Sequence, residues 1–369
     1  MKFTAINFSC PNCGAPQKFS PATDSMVCDF CGTSTPIKIL NTPIKEYNFH
    51  NAMESLSMQI AYENSKKISC QKCGASFELD EDTLATSCPY CGTPAITDFT
   101  REITPKSLIP FRITREQAKE QFYKWTKSKW LAPKGFHLHL ENNKNIQGYY
   151  LPYWTYDTQT TTQYQGMRGD VYYVTVTRSV MVNGRPTQQQ VREPRIRWTP
   201  KNGTVRVDFD DVTIGATKSF SHIILDSIEP WDTTALVPFK QKYLSGFEAQ
   251  EYTIALDNGF EFAKMKMDAT IRHYIRRDIG GDQQQIIHTN TLYKNTTYKS
   301  ILLPIWTTSF TWKNKEYHYA INGQTGKVSG EYPYSYIKIA MLVIIIIVAL
   351  GVFGYLVEFD NIRQLTFTH

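Results

Sequence analysis

The sequence predicts an α+β protein, and three features carry this prediction. Eight cysteines lie within the first 91 residues, the middle of the chain alternates between helical and strand-forming segments, and a long uncharged apolar segment follows near the C-terminus. A chain of 369 residues is long enough for two or three folding units. We therefore expect two small four-cysteine ribbons, a β-rich antiparallel α+β domain and one C-terminal transmembrane helix.

The cysteines repeat one pattern twice. Each copy reads C-x2-C-x14-C-x2-C, with "CGA" ending its first pair and "CGT" its second, and the copies are sixty residues apart. A Cys-x-x-Cys turn directs two sulfurs toward one point, so two turns joined by a hairpin supply four thiolates in a tetrahedron. The predicted ligands are Cys10, Cys13, Cys28 and Cys31 in the first site, and Cys70, Cys73, Cys88 and Cys91 in the second.

Zn2+ is the metal expected at both sites, in a structural role. An all-cysteine set leaves no open coordination position for catalysis. Each copy is too short to hold a core, so metal binding would supply folding free energy on the order of 10 kcal/mol. Two alternatives stay open at this point, which are iron, as in rubredoxin-like knuckles, and a thioredoxin-like redox pair.

These features divide the chain into segments. The predicted divisions are zinc ribbon one (1–40), a linker with a short helix (41–66), zinc ribbon two (67–98), the α+β domain (101–335), the transmembrane helix (336–357) and a short extracytoplasmic tail (358–369). In the linker, Met53, Leu56 and Ile60 are spaced for one face of a helix.

The α+β domain begins with an amphipathic helix over 113–131. Its apolar face is expected to hold Ala118, Phe122, Trp125 and Trp130. Strands rich in Tyr, Val and Thr follow, and the Asn-Gly of "NGRP" predicts a hairpin between "DVYYVTVTRSVMV" and "TQQQVREPRIRWTP". The "KNG" at 201–203 is expected to form the next turn.

Short echoes predict an internal duplication of this domain, with halves at 101–230 and 231–335. "SLIPF" (107–111) is echoed by "ALVPF" (235–239), and "LPYWT" (151–155) by "LPIWT" (303–307). Each half would contain a helix followed by antiparallel strands.

The apolar segment Ile339–Val357 contains no charge and no proline. Nineteen helical residues span about 28 Å, close to the hydrocarbon thickness of roughly 30 Å. Four lysines precede it within 26 residues, whereas only Arg363 follows it, which predicts a cytoplasmic N-terminus. Reduced cysteines and the lack of an N-terminal signal sequence favour the same orientation, so we expect a single-pass cell-membrane protein.

No catalytic constellation stands out, so we expect no enzyme activity. "NGQTGKVSG" superficially resembles a phosphate-binding loop, but Ile321 and Val328 replace its first Gly and its Ser or Thr. The net charge of +6 is only a mild excess, and ribbon two carries Glu78, Asp80 and further acidic residues in its hairpin. Both features argue against nucleic acid as the partner.

The run "EPWDTTALVPFKQKYLSGFEAQEY", the "LPxWT" repeats and "NGQTGKVSG" before a membrane span resemble a bacterial family of membrane-anchored double zinc-ribbon proteins. Members often carry names that refer to primosomal protein N-prime or a replication-restart helicase, but this chain lacks a phosphate loop and is too short for two helicase lobes. The family is similar to a membrane protein encoded beside phage-shock protein A and SPFH-domain proteins. The resemblance implies recruitment of such partners to the membrane under envelope stress.

The function expected from these features is a membrane-anchored adaptor that docks cytosolic protein partners. Partners of the SPFH-domain or phage-shock-protein-A type are expectations from the resemblance, and homo-oligomerisation through the α+β domain is a further expectation. Two alternatives remain, a membrane-tethered nucleic-acid-binding protein and an enzyme in the β-rich domain.

Overall fold

A mainly antiparallel sheet with very long strands forms the centre of the computed structural model, which describes residues 2–4, 8–38, 42–57, 66–70, 72–80, 82–97, 103–134, 136, 146–182, 185–313 and 315–366. The fold is mixed helix and sheet and mostly β, as the sequence predicts. The helices are α1 (Phe49–Ser57), α2 (Arg115–Ser128), α3 (His222–Ser227), α4 (Leu256–Ile279) and α5 (Tyr336–Thr366).

The strands are β1 (Lys2–Thr4), β2 (Gln17–Ser20), β3 (Ser25–Cys28), β4 (Ser34–Pro36), β5 (Tyr47–Asn48), β6 (Lys66–Ser69), β7 (Ser76–Leu79), β8 (Thr83–Ser87), β9 (Pro94–Ile96), β10 (Ser107–Leu108), β11 (Gln147–Val182), β12 (Arg185–Gly215), β13 (Val237–Pro238), β14 (Glu248–Gln250), β15 (Gln283–Trp312), β16 (Lys315–Asn322) and β17 (Val328–Gly330). The central sheet runs β13-β10-β15-β11-β14-β8-β9, and β12 pairs with β11. Two three-stranded sheets, β2-β3-β4 and β1-β6-β7, flank it.

Three strands are far longer than predicted. β11, β12 and β15 have 36, 31 and 30 residues, so at about 3.3 Å per residue each extends for on the order of 100 Å. The predicted hairpin is present, because Val182 pairs with Arg185, and Asn183 and Gly184 themselves lie outside the described residues. The turn expected at 201–203 is wrong, since Gly203 pairs with Tyr164 inside β12.

Gly203 is needed for packing rather than for a turn. A Cβ there would lie 2.7 Å from the hydroxyl of Tyr164 and 2.8 Å from a carboxylate oxygen of Asp278. The Tyr164 hydroxyl donates a hydrogen bond to that carboxylate, which belongs to α4. The glycine therefore leaves room for a contact between the sheet and the helix that packs on it.

The helices cover parts of the sheet with their apolar faces. α4 buries a full stripe of residues against β11, β12 and β15, consisting of Leu256, Gly259, Phe260, Ala263, Met267, Ile271, Ile275 and Ile279. In α2, Ala118 and Phe122 are buried as predicted, and the helix starts with a capping box between Thr114 and Gln117. Trp130 was expected on this face, but α2 ends at Ser128 and the Trp130 side chain is 61% exposed.

The linker helix forms as predicted. α1 places Met53 and Leu56 against the core cluster beneath α4, while Ile60 lies outside the described residues.

The duplicated geometry centres on the "LPxWT" repeats. Leu151 of β11 lies opposite Leu303 of β15, the first residues of the two motifs. The indole N–H of Trp154 donates to the Ile254 carbonyl and that of Trp306 to the Ile113 carbonyl, each at 2.9 Å. Each carbonyl lies two residues before a helix, α4 and α2 respectively. The two motifs thus make the same contact, each with the helix of the other half.

The echo between 107–111 and 235–239 does not mark equivalent positions. β10 and β13 pair directly with each other in antiparallel register. The strand that matches β10 is β14, because β10 pairs in parallel with β15 just before Leu303, and β14 pairs in parallel with β11 just before Leu151. Both strands begin eight residues before their helix. The repeated unit is therefore a short strand, a helix and an antiparallel hairpin, which is long in the first half (β11 and β12) and short in the second, where β16 has eight residues.

The motif that superficially resembles a phosphate loop has a packing role. The side chain of Asn322 donates to the Ile228 carbonyl at 3.0 Å, and the side chain of Gln324 exchanges hydrogen bonds with the backbone of Asp232 at 2.9 and 3.0 Å. "NGQTG" therefore holds "EPWD" in place, and two of the motifs that carry the family resemblance contact each other.

Candidate metal centres

Four cysteine knuckles have the same backbone conformation. In each, the N–H of the first cysteine donates to the carbonyl of the residue five positions later. The N–H of the glycine four positions after that cysteine donates to the cysteine carbonyl, and all these distances are 2.7–3.0 Å. The glycines Gly14, Gly32, Gly74 and Gly92 have φ between +67° and +74°. A Cβ would meet nothing within 4 Å at any of them. These positions need glycine for the left-handed conformation, not for space.

The knuckles bring together the eight predicted ligands in the predicted two sets. Across the first site the sulfurs of Cys10 and Cys31 are 3.6 Å apart and those of Cys13 and Cys28 are 3.5 Å apart. The corresponding distances in the second site are 3.7 and 3.9 Å. A tetrahedral ion with sulfur ligands at about 2.3 Å requires sulfur separations of about 3.8 Å. Both clusters can therefore bind metal ions, and an all-thiolate set is the donor set of structural zinc sites.

A threonine beside each second knuckle contacts one sulfur. The Thr33 hydroxyl lies 3.1 Å from the Cys31 sulfur, and the Thr93 hydroxyl lies 3.3 Å from the Cys91 sulfur. These hydrogen bonds, with the backbone N–H of the same threonines, lower the pKa of both thiols to about 6. Alanine occupies the equivalent positions of the first knuckles. The "CGA" and "CGT" repeats contained this signal, which the ligand spacing alone did not show.

The first site is held against the α+β domain. The N–H of Phe19 in β2 donates to the Ser245 carbonyl at 2.9 Å, and the Ser245 hydroxyl donates to the Gln17 carbonyl at 2.7 Å. The Phe19 ring packs on Tyr243 and Phe247, with centroids at 5.0 and 6.2 Å. A buried edge of the first ribbon is thus part of the domain core.

The second site is built into the central sheet. Ala85 of β8 pairs with Ala249 of β14, and both side chains are fully buried. β1, at the N-terminal end of the first ribbon, pairs with β6 of the second, and the Lys72 ammonium lies 6.0 Å from the Phe30 ring centroid. The two ribbons therefore contact each other as well as the domain.

A separate charged cluster lies where β11, β12 and β15 meet. The Lys299 ammonium lies 2.6 Å from Asp211, 3.0 Å from Glu46 and 3.4 Å from Asp157. Oxygens of Asp157, Asp210 and Asp211 lie within 4.8 Å of one another. The buried Lys299 ammonium thus lies among several carboxylates, and Glu46 ties the linker to the sheet.

Among the described residues, one helix is long and apolar enough to span a membrane. The stretch Tyr336–Tyr355 of α5 has a mean hydropathy of 2.8, and none of it is buried. The helix continues to Thr366, beyond the predicted end at 357. At its start, the Lys338 ammonium donates to the carbonyls of Trp130 and Ala132, both at 2.7 Å. These bonds tie the apolar helix to the segment that follows α2.

No protein-family model matches the chain, and no solved structure matches it. The chain is 28% identical over 346 residues to "Uncharacterized protein YdjG" of Bacillus subtilis (strain 168), which covers 91% of this chain and 92% of that protein. The similarity therefore covers most of both chains, and the relative's name assigns no activity.

Proposed function

We propose that this protein is a membrane-anchored adaptor whose metal-bound ribbons dock a cytosolic protein partner. The observation that carries this function is the combination in one chain of two closed all-cysteine clusters, fixed against a folded domain, with an apolar helical stretch of 20 residues, none of it buried. Closed sites of this kind act as rigid supports. The function requires no catalysis.

The docking residues follow from exposure at the knuckles. The third residue of each second Cys-x-x-Cys turn is aromatic and points outward, with Phe30 76% exposed and Tyr90 69% exposed. An aromatic side chain on a metal-stapled turn loses little conformational entropy when it is buried by a partner. We assign these two side chains as contacts of the partner protein.

Zinc is the metal we assign to both clusters, and the membrane is the site of action. The lysines before the apolar segment Ile339–Val357, against Arg363 after it, favour a cytoplasmic N-terminal domain. The family resemblance supports partners of the SPFH-domain or phage-shock-protein-A type and a role in envelope stress.

Photo-cross-linking of the full chain in its own membranes tests this function. A photoreactive phenylalanine analogue at 30 or at 90 is expected to capture one common partner, while the analogue at Ile223, which is 81% exposed, captures none. Phe30→Ala/Tyr90→Ala should lose the partner and keep two metal ions per chain, whereas Cys70→Ser/Cys73→Ser should lose metal as well. Equal capture at all three positions would contradict docking by the ribbons.

One observation favours nucleic acid as an alternative partner. Arg195, Arg197 and Lys201 on β12, and Arg276 and Arg277 at the end of α4, are exposed and have no acidic partner within the described part of the chain. Binding of a 24-base-pair duplex that weakens steeply between about 50 and 200 mM salt would support this alternative. Failure to bind at the lower salt concentration would exclude it.

A further inference from the structure

The hairpin of β11 and β12 extends beyond the rest of the sheet. β15 pairs with β11 as far as Gly169, which lies opposite Gln283. Beyond Gly169, no described strand pairs with this edge of β11. Beyond that point, Asp170–Val182 pairs only with Arg185–Arg197. We call this two-stranded extension the arm. A two-stranded ribbon is marginally stable in water, and a third strand adds stability.

The two edges of the arm differ in their protection. On β12, the prolines Pro186 and Pro194 lie opposite Met181 and Tyr173, as part of a strand that also carries several arginines. Prolines and positive charges block the addition of a further strand. On β11, the edge sequence "DVYYVTVTRSVMV" has no proline and only two charged residues. Its composition of Val, Tyr and Thr favours strand pairing.

Backbone hydrogen bonds show which groups of this edge point outward. The Val171 N–H has no strand partner and donates to the Asp282 carboxylate at 2.7 Å, while the Gly169 carbonyl accepts from the Asp282 N–H at 2.9 Å. Because backbone direction alternates along a strand, the odd-numbered residues present their N–H and C=O groups outward. For Tyr173, Thr175, Thr177 and Ser179 these groups have no partner among the described residues. Asp282 thus takes up the hydrogen bonds at the start of this β11 edge, and the outward backbone groups that follow stay available for pairing.

We propose that this edge pairs with the same edge of a second copy of the chain, antiparallel and about a two-fold axis at Val176. Thr175 then lies opposite Thr177 of the second copy, and Tyr172 lies opposite Val180. Odd residues face odd residues, so the outward groups of each strand meet those of the other. Aromatic with β-branched, and Thr with Thr, are favourable cross-strand pairs.

The charges on the edge are compatible with this register. Asp170 falls opposite Val182 of the second copy, and Arg178 falls opposite Val174, so no like charges meet. Arg178 already pairs with Glu193 and Asp170 with Arg168 within each chain. The same patch serves both copies, so the contact closes as a dimer and does not propagate from this edge.

The extent of the contact suits copies that share a membrane. Thirteen paired residues extend for about 44 Å. The contact is one strand edge wide, whereas stable complexes bury a broad patch of about 800 Å² per partner. Anchored copies meet at a raised effective concentration, so a modest interface suffices. The pairing rests on the proposed membrane anchor in this respect.

Cysteine cross-linking of the full chain in membranes tests the pairing. At the two-fold axis the Cα atoms of a non-hydrogen-bonded pair are about 4.5 Å apart, which is within disulfide range. Val176→Cys should therefore form a disulfide-linked species of twice 42.5 kDa under mild oxidation. The matched controls Gln190→Cys on β12 and Asn290→Cys on β15 are exposed and should give at least tenfold less.

Two results would overturn the pairing. One is a yield for Val176→Cys no higher than for the two controls, and the other is an adduct whose mass shows a different protein on the edge. Register is tested in the Val176→Cys background, where Thr175→Glu/Thr177→Glu should lower the yield at least fivefold, because like charges then face each other. Thr175→Glu/Thr177→Lys should restore it, and equal yields for both variants would also count against the pairing. Cross-linking needs no partner protein, so it can fail while docking at Phe30 and Tyr90 holds.

Discussion

The buried Lys299 cluster makes the stability of the domain depend on pH. One ammonium, whose side chain is 8% exposed, faces Glu46, Asp157 and Asp211. Burial alone would lower the pKa of Lys299. The hydrogen bond to Asp211 and the neighbouring carboxylates outweigh burial and raise this pKa. A single positive charge cannot compensate three negative ones. The excess negative charge affects Asp157 in particular, because burial together with the Glu46 carboxylate raises the pKa of Asp157 from 3.8 to about 6.

Asp157→Asn should therefore stabilise the protein at neutral pH. A carboxyl group whose pKa is higher in the folded than in the unfolded state costs stability once pH rises above its unfolded value, and the full cost is reached above its folded value. A difference of about 2 pKa units corresponds to about 3 kcal/mol above pH 7. At pH 5 the cost is about half as large. The asparagine keeps an oxygen that can accept the Asp211 N–H, which now donates to Asp157 at 2.6 Å.

Urea unfolding of the full chain in detergent, followed by tryptophan fluorescence, measures this effect. The free energy of unfolding of Asp157→Asn should exceed that of the wild type at pH 7.5, and the difference should shrink by about 1.4 kcal/mol at pH 5. Asp208→Asn, at an exposed position on β12, is the matched control and should show no such change. A variant less stable than the wild type at pH 7.5, or a difference independent of pH, would refute the reasoning.

Three further predictions follow from the fold. Gly32→Ala should destabilise the first metal site by about 1–2 kcal/mol, since φ there is +72° and no contact limits the added carbon. The metal affinity is measured by a metal-competition titration, and an affinity equal to that of the control Gly351→Ala would contradict this prediction. Trp154→Phe and Trp306→Phe should each lower the free energy of unfolding by about 1–3 kcal/mol through the carbonyl left without its indole donor, and unequal losses beyond about 2 kcal/mol would argue against the repeated geometry. Ile346→Arg should oppose membrane insertion by about 2.5–3.5 kcal/mol, so more of the chain should be extracted by alkaline carbonate than for the exposed flanking variant Tyr336→Arg.

The eight cysteine ligands could be predicted from the sequence because a knuckle is local. Its geometry depends on two cysteines and one glycine with positive φ, and the spacing records all three. The apolar helix could be predicted for the same reason, since about 20 uncharged residues suffice to define it.

The pairing of distant segments could not be predicted in this way. Whether 201–203 turns or continues depends on the Tyr164–Asp278 contact above Gly203, which links residues more than 100 positions apart. The equivalence of β14 and β10 is likewise defined by their register against β11 and β15, and the two strands have little sequence in common. The charged cluster around Lys299 and the exposed edge of the arm both depend on the order of the strands in the sheet. A local sequence pattern does not contain that order.

The most direct test of a metal-stapled, membrane-anchored adaptor is the zinc content of the full chain that remains in membranes after an alkaline carbonate wash. We expect the chain to stay in the pellet with about two zinc ions per copy, and with about one in Cys70→Ser/Cys73→Ser. A chain released by the wash, or one retained without bound metal, would contradict a metal-stapled anchor protein.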